Sequence, residues 1–256
     1  MPRRPQNELR PLSITPHYLA HPEGSVLVGF GDTLVICTAS INERVPRWMS
    51  GKGTGWVSAE YDMLPRATHS RRDRDARKGK LNGRSQEISR LIGRSLRAIC
   101  DMQKLGERAV TIDCDVIQAD GGTRTAAITG GYAALAIACR ALEEKNLLKE
   151  NPLTQAVAAI SVGIVEGEVM LDLDYALDSQ AQVDMNVVMT ADGELAEIQG
   201  TAEARTFSRD QLTQMLDLSF EALPRLLELQ QKAIDAPFTR SPSIIQIGRA
   251  SCRERV

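Results

Sequence analysis

Nine consecutive residues, Gln118-Ala-Asp-Gly-Gly-Thr-Arg-Thr-Ala126, hold most of what an anion site needs. Two glycines let the backbone come close to a ligand. The Ala-rich stretch behind them predicts a helix that opens here, with unpaired N–H groups and a positive dipole end. Thr123 adds a hydroxyl, and Arg124 adds a planar fork that suits phosphate bidentately. The same residues also spell an ordinary glycine turn with Thr123 as helix N-cap, and composition does not separate the two. Arg84 is similar in kind. In Gly83-Arg-Ser-Gln-Glu-Ile88 it opens a predicted helix, where its charge opposes the dipole and a bound phosphate would compensate.

Asp172, Asp174, Asp178 and Asp184 form the acidic counterpart. Asp172 and Asp174 are expected on one face of a strand, with Asp178 and Asp184 flanking the loop 179–183. Carboxylates converging this way suit Mg²⁺, which takes a few oxygens and completes its shell with substrate phosphate. Solvated carboxylates at a strand edge are the plainer alternative. Charge is unevenly spread: Arg66 to Arg84 holds eight Lys or Arg against two acids, whereas Glu150 to Ala204 holds eleven acids and no Lys or Arg. That split fits a basic surface for a polyanion and an acidic region for a cation, or two solvated faces of opposite sign.

Other chemistries find little support. Gly29-Phe-Gly31 lacks the third glycine of a dinucleotide fingerprint, and Gly51-Lys-Gly-Thr-Gly55 lacks the upstream glycine of a phosphate-binding Walker loop. The three histidines, His17, His21 and His69, have no metal-pair spacing. The five cysteines, Cys37, Cys100, Cys114, Cys139 and Cys252, include no CxxC and are expected to be reduced, the first four in the core. No apolar run reaches the ~20 residues of a membrane span, and none follows Met1-Pro-Arg-Arg-Pro5, so neither membrane insertion nor a signal peptide is expected, and a cytoplasmic protein is.

The positioning elements follow from periodicity. Residues 25–30 and 33–40 are β-rich runs around Gly31-Asp32, a hairpin. Residues 46–56 are Gly/Pro-rich loop. The basic stretch 66–83 is a further loop, long for a compact domain, which points to function or mobility. Ile88, Leu91, Ile92, Leu96 and Ile99 place one apolar face on a helix over 84–104 that stops before Gly106. Residues 109–117 alternate as a half-buried strand, and a helix runs from 121–123 to about Lys145. After Asn151-Pro152 come a second hairpin-like pair, 156–165 and 168–174, then strands at 183–190 and 194–199. A last helix starts at Ser208, with Gln211 completing a capping box and Pro224 expected to kink it. Ser25–Thr38 and Ser161–Asp174 share a pattern, so two related halves are expected.

The sequence resembles the bacterial ribonuclease PH family from roughly Asn7 to Lys232. The resemblance is carried by Gly55-Trp-Val, Ala59-Glu-Tyr61, Met63-Leu-Pro-Arg-Ala-Thr68, Arg90-Leu-Ile-Gly-Arg-Ser-Leu-Arg97, Val183-Asp-Met-Asn-Val-Val-Met-Thr190, Gln199-Gly-Thr-Ala-Glu203 and, most specifically, the run Asp113 to Thr125. It implies an α+β chain with two related βαβ-type halves, mixed sheets and packed helices, the ribosomal protein S5 domain 2-like fold. The first half would span 7–150 and the second 151–236. The segment 237–256 fits nothing in the family and reads as a disordered or cloning-derived tail.

The resemblance also implies an activity: phosphorolytic trimming of RNA 3′ ends, chiefly of transfer RNA, with release of nucleoside diphosphates. Inorganic phosphate would be the co-substrate and Mg²⁺ or Mn²⁺ the metal, in a homo-oligomer that closes as a hexamer from three dimers. Arg84, Gly122, Thr123 and Arg124 match phosphate-binding positions. Asp178 and Asp184 match catalytic and metal-associated carboxylates. Arg66, Arg71, Arg72, Arg74 and Arg77 fall in a region that contacts transfer RNA. The alternative is a catalytically silent RNA-binding ring subunit of an exosome-like assembly, which would keep the basic loop and lose the arginines or aspartates. Two departures stand out: Pro2-Arg3-Arg4-Pro5 in place of an Asp-Gly-Arg opening, and Ala204-Arg205-Thr206 where small residues are usual.

Overall fold

Alternation of apolar and polar residues, as in Val110, Ile112, Cys114 and Val116 against Thr111, Asp113 and Asp115, buries one face of such a strand more deeply than the other. The computed structural model describes residues 4–74, 82–203 and 205–238; Arg77, Cys252 and the tail 239–256 lie outside the described residues.

In the first half, β1 (Leu12–Pro16), β2 (Gly24–Phe30), β3 (Thr33–Asn42), β4 (Trp56–Met63) and β5 (Ala109–Gln118) form one sheet in the order β1-β2-β3-β5-β4. All neighbours run antiparallel except β4 and β5, which are parallel. In the second half, β6 (Val157–Val165), β7 (Glu168–Leu171), β8 (Val183–Thr190) and β9 (Leu195–Ala202) form an antiparallel sheet in the order β7-β6-β8-β9. The helices are α1 (Gly83–Arg97), α2 (Met102–Leu105), α3 (Thr123–Glu144), α4 (Tyr175–Asp178) and α5 (Arg209–Asp235). Two α+β halves with a mixed sheet and packed helices are as expected. Strands β1 and β4 are not among the expected elements.

Helix α3 ties the halves together. It packs on β2 and β3 of one sheet and on β6 of the other, and α5 packs across α3 and β6. By length and composition alone α3 could cross a membrane, but it is buried in the core, from Thr125 through Cys139 without interruption. At Gly130 a Cβ would come within 2.7 Å of Val28 Cγ1, so this close helix–sheet approach needs glycine. Hydrogen bonds cross the seam, although Gln230 Oε1 is buried without a partner among the described residues. Thr129 Oγ1 donates to Ala159 O at 3.2 Å and accepts from Ala159 N at 3.0 Å, while Gln230 Nε2 on α5 donates to Thr129 O and Val157 O, each at 2.9 Å. Cys37, Cys100, Cys114 and Cys139 are buried free thiols, as expected.

The helix expected over 84–104 is two helices. Asp101 accepts from Gln103 N and Lys104 N and caps α2, while the Cys100 backbone bridges to Leu153. A side-chain cap ends one helix by starting another. The capping box at Ser208 and Gln211 is present.

Candidate active site

The strand–helix junction between β5 and α3 is built as a tight left-handed turn. Gly121 has φ 75° and Gly122 has φ 66°, a region that side chains disfavour. A Cβ on Gly121 would collide with the Leu173 carbonyl oxygen, and one on Gly122 would sit 3.0 Å from Arg10 Nη2. Gly122, not Thr123, occupies the N-cap, so Thr123 is the first residue of α3. The alternative of Thr123 as cap is thereby excluded: with the turn made by glycine, the Thr123 hydroxyl faces inward and accepts from Tyr61 Oη at 2.8 Å. Thr33 Oγ1 clamps the turn from β3, donating to Gly121 O at 2.6 Å and accepting from Asp120 N at 2.8 Å.

Arg84 and Arg124 each hold the second position of a helix, α1 and α3. Asn82 caps α1 by accepting from Arg84 N at 3.0 Å. Arg124 Nη2 donates to Glu87 Oε2 at 3.2 Å, and Glu87 Oε1 accepts from Gln199 Nε2 at 3.0 Å. Arg124 Nε is buried and finds no acceptor among the described residues, so the guanidinium keeps donors to give.

The carboxylates come from the second half. Asp174 caps α4 by accepting from Leu177 N at 2.9 Å, and that single turn carries Asp178. Asp184 is the second residue of β8, in register with Gly163 on β6 and Thr201 on β9. Strand alternation puts its side chain on the same face as Asn186. Loss of hydration between the cavity walls raises the Asp178 carboxyl, opposed by Arg84, Arg124 and Arg10. Asp184 is pushed up to about 6, first by burial and then by the charge of Asp178, against the pull of Arg124 and Arg84.

All six residues converge. Arg84, Gly122, Thr123, Arg124, Asp178 and Asp184 line one cavity of about 800 Å³. A smaller adjoining cavity, also bordered by Arg124 and Asp184, extends toward Gln199. Of the basic run, Arg72 reaches the main cavity, where Nη1 approaches Met63 Sδ at 2.9 Å. Arg66, Arg71 and Arg74 are exposed and do not line it; Arg71 Nη1 pairs with Asp73 Oδ1 at 3.0 Å. Among the described residues, no group of three or more His, Cys, Asp or Glu side chains is placed to hold a metal by itself.

Asp172 and Asp174 do not join Asp178 and Asp184 as an acidic patch. The strand expected over 168–174 stops at Leu171, and Asp172 turns inward with φ 52° and no exposure. Its carboxylate accepts from Arg10 N at 2.8 Å, Arg10 Nε at 3.1 Å and Arg10 Nη2 at 2.7 Å. Arg10 also donates to Asp120 O at 2.5 Å, so one buried cation pins the glycine turn to the second half. Arg10 and Glu87 have no assigned role in the sequence reading, and Tyr61 and Gln199 enter it only within motifs that carry the resemblance. An Arg near the N-terminus or a Gln in a strand carries no local signal of its partner.

The model of the 3′ exoribonuclease family, domain 1, matches residues 8–141, and that of domain 2 matches residues 155–222. Among solved structures, rice (Oryza sativa) Rrp46 superposes with TM-score 0.73 and 21% identity over 90% of this chain and 98% of that one. A chain of the Archaeoglobus fulgidus exosome with RNA bound to the active site gives TM-score 0.74 and 20% identity, over 88% and 90%. A chain of an archaeal exosome core gives 0.69 and 20%, over 89% of each. At such identity the likeness speaks for the fold.

Proposed function

The chain belongs to the 3′ exoribonuclease family, and from that premise we propose that it is a phosphate-dependent 3′–5′ exoribonuclease that trims transfer RNA precursors and releases nucleoside diphosphates. The observation that carries the reading is the convergence of two helix-borne arginines and two carboxylates on one cavity.

A phosphate oxygen attacks the phosphorus of the terminal phosphodiester, the bond to the 3′ oxygen of the preceding nucleotide breaks, and that oxygen takes a proton. Phosphate is largely dianionic near neutrality, so it needs little base assistance. The obstacle is repulsion between two anions. Arg84, Arg124 and the α3 N-terminus would hold the attacking phosphate and spread its charge. Two carboxylates on one cavity fit a divalent cation, since Mg²⁺ is commonly bound by one or two carboxylates plus substrate oxygens. Asp178 and Asp184 would hold it, and when bound it would offset charge on the transferring group. The departing 3′ oxygen would take its proton from a water or from a carboxyl oxygen that the cation does not engage. Positioning and electrostatics of this kind dominate phosphoryl transfer.

RNA as substrate is supported by the basic run and by the structural neighbour that holds RNA in its active site. Assembly into a ring of dimers, a hexamer, is in keeping with neighbours that come from exosomes. Those neighbours are equally compatible with the second reading, a silent RNA-binding ring subunit. Against it, this one chain supplies both the arginines and the aspartates.

Asp178→Asn and Asp184→Asn should each abolish phosphorolysis while the thermal unfolding midpoint stays or rises, because both carboxylates already resist ionisation in the fold. Unchanged turnover in either variant removes that residue from the chemistry; unchanged turnover in both favours the silent subunit with a contaminating nuclease.

A further inference from the structure

The main cavity is lined by polar side chains on most sides, but one wall carries two rings. Tyr175 on α4 and His69 on the basic loop meet edge to face, with ring centroids 5.7 Å apart and planes at 61°. Both line the cavity that holds the arginines and carboxylates. Neither is a core residue: Tyr175 is 53% exposed, and His69 is exposed as well. An aromatic ring left half open on a single-turn helix contributes little to folding, so packing does not account for its place.

From this geometry we infer that Tyr175, with His69 beside it, forms a stacking platform for the base of the 3′-terminal nucleotide. The inference rests on the proposed phosphorolytic reading and names how the substrate is held there. Tyr175 and Asp178 lie three residues apart on one helical turn, so their Cβ atoms are separated by on the order of 5–6 Å. A nucleotide's base and its 5′ phosphate are one ribose apart, a comparable span. A base on Tyr175 therefore leaves its phosphate beside Asp178. An edge-to-face pair leaves ring faces uncovered, and every base has a π-face to lay on them. Recognition by stacking is tolerant of sequence, as an enzyme that removes one nucleotide after another requires. The α4 turn is itself fixed to the phosphate site, since Tyr175 N donates to Asp120 Oδ1 at 3.4 Å.

The test uses the full chain and a short single-stranded RNA in saturating phosphate. Tyr175→Ala should raise KM for the RNA roughly tenfold or more, the scale of one base–aromatic stack. Tyr175→Phe and Tyr175→Trp should stay within about twofold of the parent, and Tyr175→Leu, which keeps bulk without a ring, should behave like Ala. The same RNA ending in an abasic 3′ residue separates stacking from scaffolding. The parent should lose affinity for it by a similar factor, and Tyr175→Ala should discriminate it no further. If Tyr175→Ala weakens normal and abasic ends equally, or Phe fails to rescue, the ring merely holds Asp178 in place and the inference falls. If the parent shows no phosphate-dependent turnover on any RNA, the functional reading fails first, and the inference with it.

Discussion

Glu87 Oε2 lies 3.2 Å from Arg124 Nη2, so the guanidinium that faces the cavity is gripped from behind by a carboxylate on α1. Gln199 on β9 holds the other oxygen of that carboxylate at 3.0 Å. The pair is partly exposed, with side-chain exposures of 21% and 42%, so its net contribution to stability is small. Its effect should appear in orientation. Glu87→Ala is expected to raise KM for phosphate about tenfold and leave RNA affinity unchanged, with Glu87→Gln in between, because small misplacements of a positioning group are costly to rate. Phosphate titrations at saturating RNA measure this. Tighter phosphate binding in Glu87→Ala would show that the carboxylate competes with phosphate for Arg124.

The Arg10–Asp172 pair should matter for stability. Its side chains are 6% and 0% exposed, and three N–H donors of Arg10 point at the carboxylate. Removing Asp172 leaves buried Arg10 only the more distant Asp120 carboxylate at 3.8 Å, and breaking such a buried pair costs about 3–5 kcal/mol. Asp172→Ala should therefore shift the urea midpoint strongly with little change in slope. A loss below about 1 kcal/mol would place the pair among surface bridges.

On the outer face of the first sheet, the parallel register sets Glu60 beside Asp113 and Asp62 beside Asp115. Loss of hydration and then these neighbours raise both aspartate pKa values. A carboxyl with a raised folded pKa binds its proton more tightly when folded, so stability falls as pH climbs from the unfolded pKa through the folded one. Asp113→Asn should stabilise the fold at pH 7 by about 0.2–1 kcal/mol, the scale of a like-charge cross-strand pair. The gain should disappear near pH ~3, where the carboxyls are largely protonated in both states. Destabilisation by Asp113→Asn at neutral pH would mean that the face is neutralised by a partner.

The basic loop divides by position. Arg72 borders the cavity, whereas Arg66, Arg71 and Arg74 do not. Arg72→Ala should slow phosphorolysis of short single-stranded RNA as well as transfer RNA. Replacing Arg66, Arg71 and Arg74 by Ala should weaken transfer RNA binding alone and flatten its salt dependence, by about 0.9 in slope for each duplex phosphate no longer neutralised. Equal losses on both substrates for that triple variant would put those residues at the catalytic centre or an interface between subunits.

Legibility followed the range of each signal. Hairpins, the β5 strand and the α3 and α5 helices are visible through local periodicity and turn residues. Strand β4 was missed although Val57, Ala59, Tyr61 and Met63 alternate with Ser58, Glu60 and Asp62, because no hairpin turn ties it to a sequence neighbour and it joins the sheet only through long-range parallel pairing with β5. Strand β1 is a short edge ending in proline. Arg84 and Arg124 were visible as charges at predicted helix starts, Asp178 and Asp184 as members of a carboxylate cluster, and the family resemblance tied the four together. Asp172 looked like their equal; only the fold reveals that Arg10, 162 residues away in sequence, takes it out of the site.

The most direct test is product identity. A 3′-extended transfer RNA precursor labelled in its terminal nucleotide is incubated with the enzyme and a divalent cation, with and without inorganic phosphate. The account predicts that label is released only when phosphate is present, and as nucleoside diphosphate. Release of nucleoside monophosphate in the absence of phosphate would contradict it, since water would then be the nucleophile and the arginine-lined phosphate site would have no role in the chemistry.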